Sequence, residues 1–120
     1  MARSNHENLI VYGTSLDVVV ALDRIATDIR PRRPDLCDHL RRASASIPLN
    51  IAEGAEEFSP AEKARFYRMA RRSAAECMAI LDVCERVGTF QGDPAAPRDA
   101  LRELLPTITK LVKSVEARRS

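Results

Sequence analysis

Apolar positions recur along this chain at helical spacing, broken at a few points by proline and glycine. Val18, Leu22, Ile25 and Ile29 stand four, three and four residues apart, which predicts a first helix over 14–29. Pro31 and Pro34 bracket a basic turn, IRPRRPDL. The second proline suits the first turn of a helix over 35–53 that carries Leu36, Leu40, Ala43, Ile47 and Ile51. Pro48 falls inside that pattern, where it removes a backbone donor and crowds the carbonyl of Ser44, so a kink is expected there. Gly54 is expected to end the helix as a left-handed cap. Ser59, Pro60 and Glu62 form a capping-box signature for a third helix over 60–87, with a seam through Phe66, Ala70, Ser73, Cys77, Ile80, Cys84 and Val87. Beyond Gly88 and Gly92, a fourth helix over 94–117 carries Leu101, Leu105, Ile108, Val112 and Val115, with Pro106 off the seam.

Short connections between amphipathic helices make neighbours antiparallel. The pattern therefore predicts an all-α fold, an antiparallel up-and-down four-helix bundle with a proline kink in the second helix. It forms one domain over 1–120, with residues 1–13 as a lead-in, of which Leu9 to Tyr12 read as lead-in or early helix. Leu9 to Ser15, LIVYGTS, has a rival reading as a buried strand entering a glycine turn, but no second strand candidate offers it a partner.

Composition narrows the function more than it defines it. A chain of 120 residues that is 45% apolar suits a single core. No apolar run approaches the roughly 18 residues that span a bilayer, and MARSNHEN lacks the apolar stretch of a secretion signal. Cys77 and Cys84 are seven apart on one helix, about 10.5 Å along its axis, too far to bridge. With Cys37 they read as buried thiols of a reducing cytoplasm, the expected location. His6 and His39 are the only histidines and have no metal-ligand spacing, so no metal or cofactor is expected. No carboxylate pair and no nucleophile with a base stands at suggestive spacing, so the chain does not read as an enzyme.

Basic residues exceed acidic ones only slightly, 19 against 17, so distribution matters more than total. Arg65, Arg68 and Arg72 share one stripe of the third helix, with Arg71 beside it, opposite the apolar seam. Arg41 and Arg42 on the second helix are expected near the level of Arg72, which would join the two clusters into one surface suited to phosphates. The same pattern also fits a solvated helix face, and Phe66 and Tyr67 are placed for packing rather than base stacking. Across the hairpin, Glu53 is expected to pair with Arg65, and Tyr67 to donate its hydroxyl to the Ser44 carbonyl freed by Pro48. Val18 to Leu22 are apolar without interruption and so cover the whole helix circumference. Burial within one bundle or packing on a second subunit would each cover part of it, and the second is expected.

The segment LRRASASIPLNIAEG, Leu40 to Gly54, followed by Phe66, Ala70, Ser73 and Glu76, resembles the bacterial four-helix-bundle family typified by proteins encoded in intervening sequences of 23S ribosomal RNA. Pro48, Asn50, Ala52, Glu53 and Gly54 stand where that pattern has them, with Ser46 in the same structural motif, whereas Arg72 replaces a glycine and His39 a glutamine. The resemblance implies an antiparallel bundle in a ring-like homo-oligomer, often a pentamer, without assigned catalytic activity. Related accessory proteins of diversity-generating retroelements bind RNA and a reverse transcriptase, which makes both candidate partners. Two classes of function follow: an RNA-associated homo-oligomer, or a protein-interaction scaffold without RNA contact.

Overall fold

A computed structural model describes the backbone of residues 2–118 and side chains from His6 onward. Helix α1 spans Ala2–Ile29, α2 Pro34–Glu56, α3 Pro60–Arg86 and α4 Ala95–Ala117, each packed on its neighbours in a four-membered cycle. Along the α2–α3 seam, His39 meets Glu76, Ser46 meets Ser73, and Gly54 meets Tyr67. One number rises as the other falls, so these two helices run in opposite directions.

The expected lead-in is helix, and the strand reading of Leu9 to Ser15 is overturned with it. Asn8, Val11, Ser15, Val18 and Leu22 continue the core-facing spacing upstream, and all are buried. Thr14 and Ser15 do not break this stretch, because their hydroxyls donate back to the carbonyls of Ile10 and Tyr12 at 3.0 and 2.7 Å.

Helix α2 passes through Pro48, which is buried, and does not stop at Gly54. The expected left-handed cap is absent there: among the described residues, only Gly88 has a positive φ. Gly54 serves packing instead. A Cβ on it would lie 2.5 Å from Cε1 of Tyr67 and 3.2 Å from Cβ of Phe66, so the missing side chain is what seats the Tyr67 ring. That seat also corrects the α3 seam. It passes through Ala64 and Tyr67 rather than Phe66, runs on through Ala70, Ser73, Ala74, Cys77, Ile80, Leu81 and Cys84, and leaves Val87 exposed. On α4, Leu104 is buried and Leu105 only partly so.

At the start of α3 half of the capping box forms. Ser59 Oγ accepts from the Glu62 amide at 3.3 Å, while the Glu62 carboxylate turns to Arg65. At its end Gly88, with φ of 68°, lets the Thr89 amide reach the Cys84 carbonyl at 2.9 Å and closes the helix.

Gly88→Ala is expected to cost about 1 kcal/mol, because an alanine resists the left-handed conformation. Gly13→Ala, inside α1 with open space around the new methyl, is expected to gain up to about 1 kcal/mol from helix propensity. Urea unfolding of the two variants checks the opposite signs.

Candidate nucleic-acid interface on the third helix

The six candidate arginines divide into engaged and free. Arg41 leans onto α1, where it bonds Asp23 and the Thr27 hydroxyl, each at 3.0 Å. Arg65 lies over the Phe66 ring, 4.5 Å from its centroid, and bonds Glu62 at 3.0 Å on its own helix. Arg68 crosses to Glu116 on α4 at 2.7 Å. Arg42, Arg71 and Arg72 have no acidic partner among the described residues; Arg42 and Arg72 are exposed and Arg71 is half-buried. Arg72, where the resembled family has glycine, points away from the bundle and crowds no helix contact. About one turn beyond Arg42 and Arg72 on the same α2–α3 seam, His39 meets Glu76 at 2.6 Å, so an acidic group borders the two clusters. Of these six candidates, therefore, only Arg42, Arg71 and Arg72 carry charge without an acidic partner among the described residues.

The motif around Pro48 is structural in its contacts. Ser46 and Ser73 share a hydrogen bond at 2.5 Å between their hydroxyls, tying α2 to α3. Asn50 donates its side-chain amide to the Ser46 carbonyl at 2.9 Å and to the Ser46 hydroxyl at 3.2 Å, which holds that hydroxyl in place. Glu53 is exposed and the expected pair with Arg65 does not form, because Glu62 lies one helical turn from Arg65 and captures it. Lys63 does what Glu53 was expected to do. Its ammonium donates to the carbonyls of Gly54 and Ala55 at 3.3 and 3.1 Å, stapling the end of α2 to the start of α3, and partial burial lowers its pKa. A lysine shortly after a tight turn, near free carbonyls, was the available signal.

Tyr67 is fully buried, but its hydroxyl makes no bond to Ser44. Its ring is level with Gly54 rather than Ile47, roughly two turns further along α2. The hydroxyl is turned toward Asn8 of α1, and both polar ends remain without a hydrogen bond. Burial pushes the phenol up to about 12 and the Cys77 thiol likewise up to about 12.

Two further surface features stand outside the arginine cluster. Leu9, Tyr12, Leu16 and Val20, at spacings of three, four and four, form an exposed apolar stripe on α1. Their spacing continues to Asp23 and Thr27, the residues that Arg41 holds, so the stripe lies on the α2 side. Leu49, 63% exposed and eight residues after Arg41, extends the apolar face onto α2. On the other side of α1, the groove with α4 holds two hollows. One, of about 390 Å³, is floored by Ala21, Ile25, Ala96 and Pro97; the other, of about 230 Å³, by Ile10, Val11, Thr107 and Leu111.

These features define a small all-α bundle whose second and third helices are joined by a serine–asparagine–serine contact and a glycine-seated tyrosine. The chain belongs to the family of 23S rRNA-intervening sequence proteins, whose family model matches residues 7–114. No curated protein matches it. Among the described residues no helix is long and apolar enough to cross a membrane.

Arg68→Ala is expected to cost less than about 1 kcal/mol, since both partners of its ion pair are two-fifths exposed, and Arg72→Ala nothing measurable. Thermal unfolding of the two checks this. Alkali gives a second readout. Folding raises the pKa values of Tyr67 and Cys77, so their contribution is complete at neutral pH and is lost as pH rises toward about 12, because the unfolded chain releases those protons earlier. Stability is expected to fall over that range. Tyr67→Phe, which removes an unpartnered buried hydroxyl, should make the fall shallower without lowering stability at pH 7.

Proposed function

We propose that the protein is a non-enzymatic, self-associating helical bundle that holds RNA by its phosphates on the outer surface of α2 and α3, with Arg42 of α2 and Arg71 and Arg72 of α3 as the contacts. The observation that carries this reading is that these guanidiniums have no acidic partner among the described residues, so binding a phosphate breaks no ion pair. Arg65 and Arg68 contribute less, because each would first leave a carboxylate. Backbone contacts of this kind position an RNA without reading its bases. Self-association is supported by the exposed stripe of Leu9, Tyr12, Leu16 and Val20 with Leu49, an apolar face of the kind that protein contacts cover. The non-enzymatic reading rests on the reactive groups themselves. Cys77 and Cys84 are buried thiols with raised pKa values, which keeps them protonated and poor nucleophiles, and His39 is occupied with Glu76. A cytoplasmic setting would keep such thiols reduced.

A second reading, a scaffold or accessory subunit that meets a protein such as a reverse transcriptase without touching RNA, is favoured by the internal pairing of Arg41, Arg65 and Arg68. A gel shift with structured RNA separates the two. Changing Arg42, Arg71 and Arg72 together to Ala is expected to weaken binding equally across RNA sequences and to flatten the dependence of log affinity on log salt by about two to three. Undiminished binding in that variant, or none in the parent protein, would favour the scaffold.

A further inference from the structure

The larger hollow between α1 and α4 pairs an aliphatic floor with a charged rim. Ala21 and Ile25 of α1 and Ala96 and Pro97 in the first turn of α4 form the floor, and the two alanines are too small to fill the space between the helices. About 390 Å³ remains, within the range of small-molecule sites. The rim carries both signs: Arg24 and Asp28, one turn apart on α1, and Asp93 in the loop before α4. These charges are not spent on each other. Asp23, beside Arg24, is held by Arg41, and Asp28 Oδ2 accepts from the backbone amides of Gln91 and Gly92 at 3.0 and 3.3 Å. Arg24 is therefore exposed and without an acidic partner among the described residues. The Asp28 carbonyl also accepts from Gln91 Nε2 at 3.0 Å, so this residue fastens the loop to the end of α1 and fixes the far wall before a ligand arrives. Asp93 Oδ1 accepts from the Ala95 amide at 3.0 Å. Asp28 Oδ1 and Asp93 Oδ2 make no hydrogen bond among the described residues.

We infer that this hollow binds a free α-amino acid with an apolar side chain. Its carboxylate meets Arg24, its ammonium meets Asp28 and Asp93, and its side chain lies on Ala21, Ile25, Ala96 and Pro97. A simple anion would face two carboxylates and a simple cation the guanidinium, whereas a zwitterion satisfies both signs. Arg24 and Asp28 are about 6 Å apart along the helix axis, a span that an α-amino acid bridges with a hydrogen bond at each end. The guanidinium fork takes a carboxylate through two parallel bonds. A residue inside a peptide would instead bring neutral amides to both charged ends. The site goes beyond the function proposed above and does not depend on it. None of Arg42, Arg71 and Arg72 lines it, and it lies on the opposite flank of α1 from the exposed stripe. An open hollow of this kind suits weak binding, with a dissociation constant on the order of 1 mM.

The test is a titration of the isotope-labelled full chain with L-leucine, followed by the backbone amide signals. The expected result is a saturable shift confined to residues 21–28 and 91–97. Leucinamide, which lacks the carboxylate, and N-acetyl-leucine, which lacks the ammonium, should each bind about five-fold more weakly or worse. Arg24→Ala, at an exposed position, should weaken leucine by a similar factor without weakening leucinamide. Asp93→Asn, which keeps an acceptor for the Ala95 amide, should weaken leucine and leucinamide alike. Ala96→Leu, also at an exposed position, fills the hollow and should abolish the shifts. Three results would each overturn the site: shifts that are absent or scattered over the chain at about twenty times the expected dissociation constant, N-acetyl-leucine binding as tightly as leucine, or Ala96→Leu binding as the parent does.

Discussion

The close approach of α2 and α3 at Gly54 and Tyr67 is the constraint on which the rest of the bundle depends. An aromatic ring with no exposed surface occupies the space that any side chain at position 54 would take, and this fixes how far α3 slides along α2. From that register the remaining α2–α3 contacts follow. Ser73 arrives opposite Ser46, Glu76 opposite His39, and the Lys63 ammonium reaches the last carbonyls of α2. A one-residue slip on either helix would rotate its core stripe by about 100° and expose part of it.

The same register distributes charge. With Glu62 one turn before Arg65 and Glu116 across from Arg68, the middle of the arginine stripe is neutralised from within the chain, and the free guanidiniums remain at Arg71, Arg72 and Arg42. A nearly balanced net charge and a small cluster of free arginines suit a weak, salt-sensitive hold on a phosphate backbone that several subunits would strengthen by acting together. In the proposed reading phosphate binding and assembly are coupled: self-association through the apolar face of α1 and α2 would multiply a site that is modest in one chain.

Helix number, helix order and most core positions were legible from periodicity, because Leu22, Leu40, Ile51, Cys77 and Ile108 each sit on a stripe long enough to fix its phase. Errors gathered where a residue had more than one use. Gly54 reads as a cap because glycine commonly ends helices, and only the neighbouring helix reveals that it is there for the Tyr67 ring. The first turns of α1 read in the sequence only as lead-in or early helix, because Leu9, Ile10 and Tyr12 are apolar and exposed, which blurs the amphipathic pattern; the buried partners that restore it include Asn8 and Ser15. Arg65, Arg68 and Arg72 all fall on α3, but their pairing is not legible in the sequence. Whether Arg65 meets Glu53 or Glu62 depends on side-chain reach within a turn, which spacing alone leaves undecided.

A double-mutant cycle on Gly54→Ala and Tyr67→Leu, followed by urea unfolding, tests the central contact most directly. Gly54→Ala alone should destabilise by about 1 to 3 kcal/mol through overpacking, and most of that cost should vanish in the Tyr67→Leu background, leaving a coupling of at least about 1 kcal/mol. Additive effects, or a Gly54→Ala variant as stable as the parent, would contradict the account by showing that the tyrosine ring does not depend on the bare backbone at position 54.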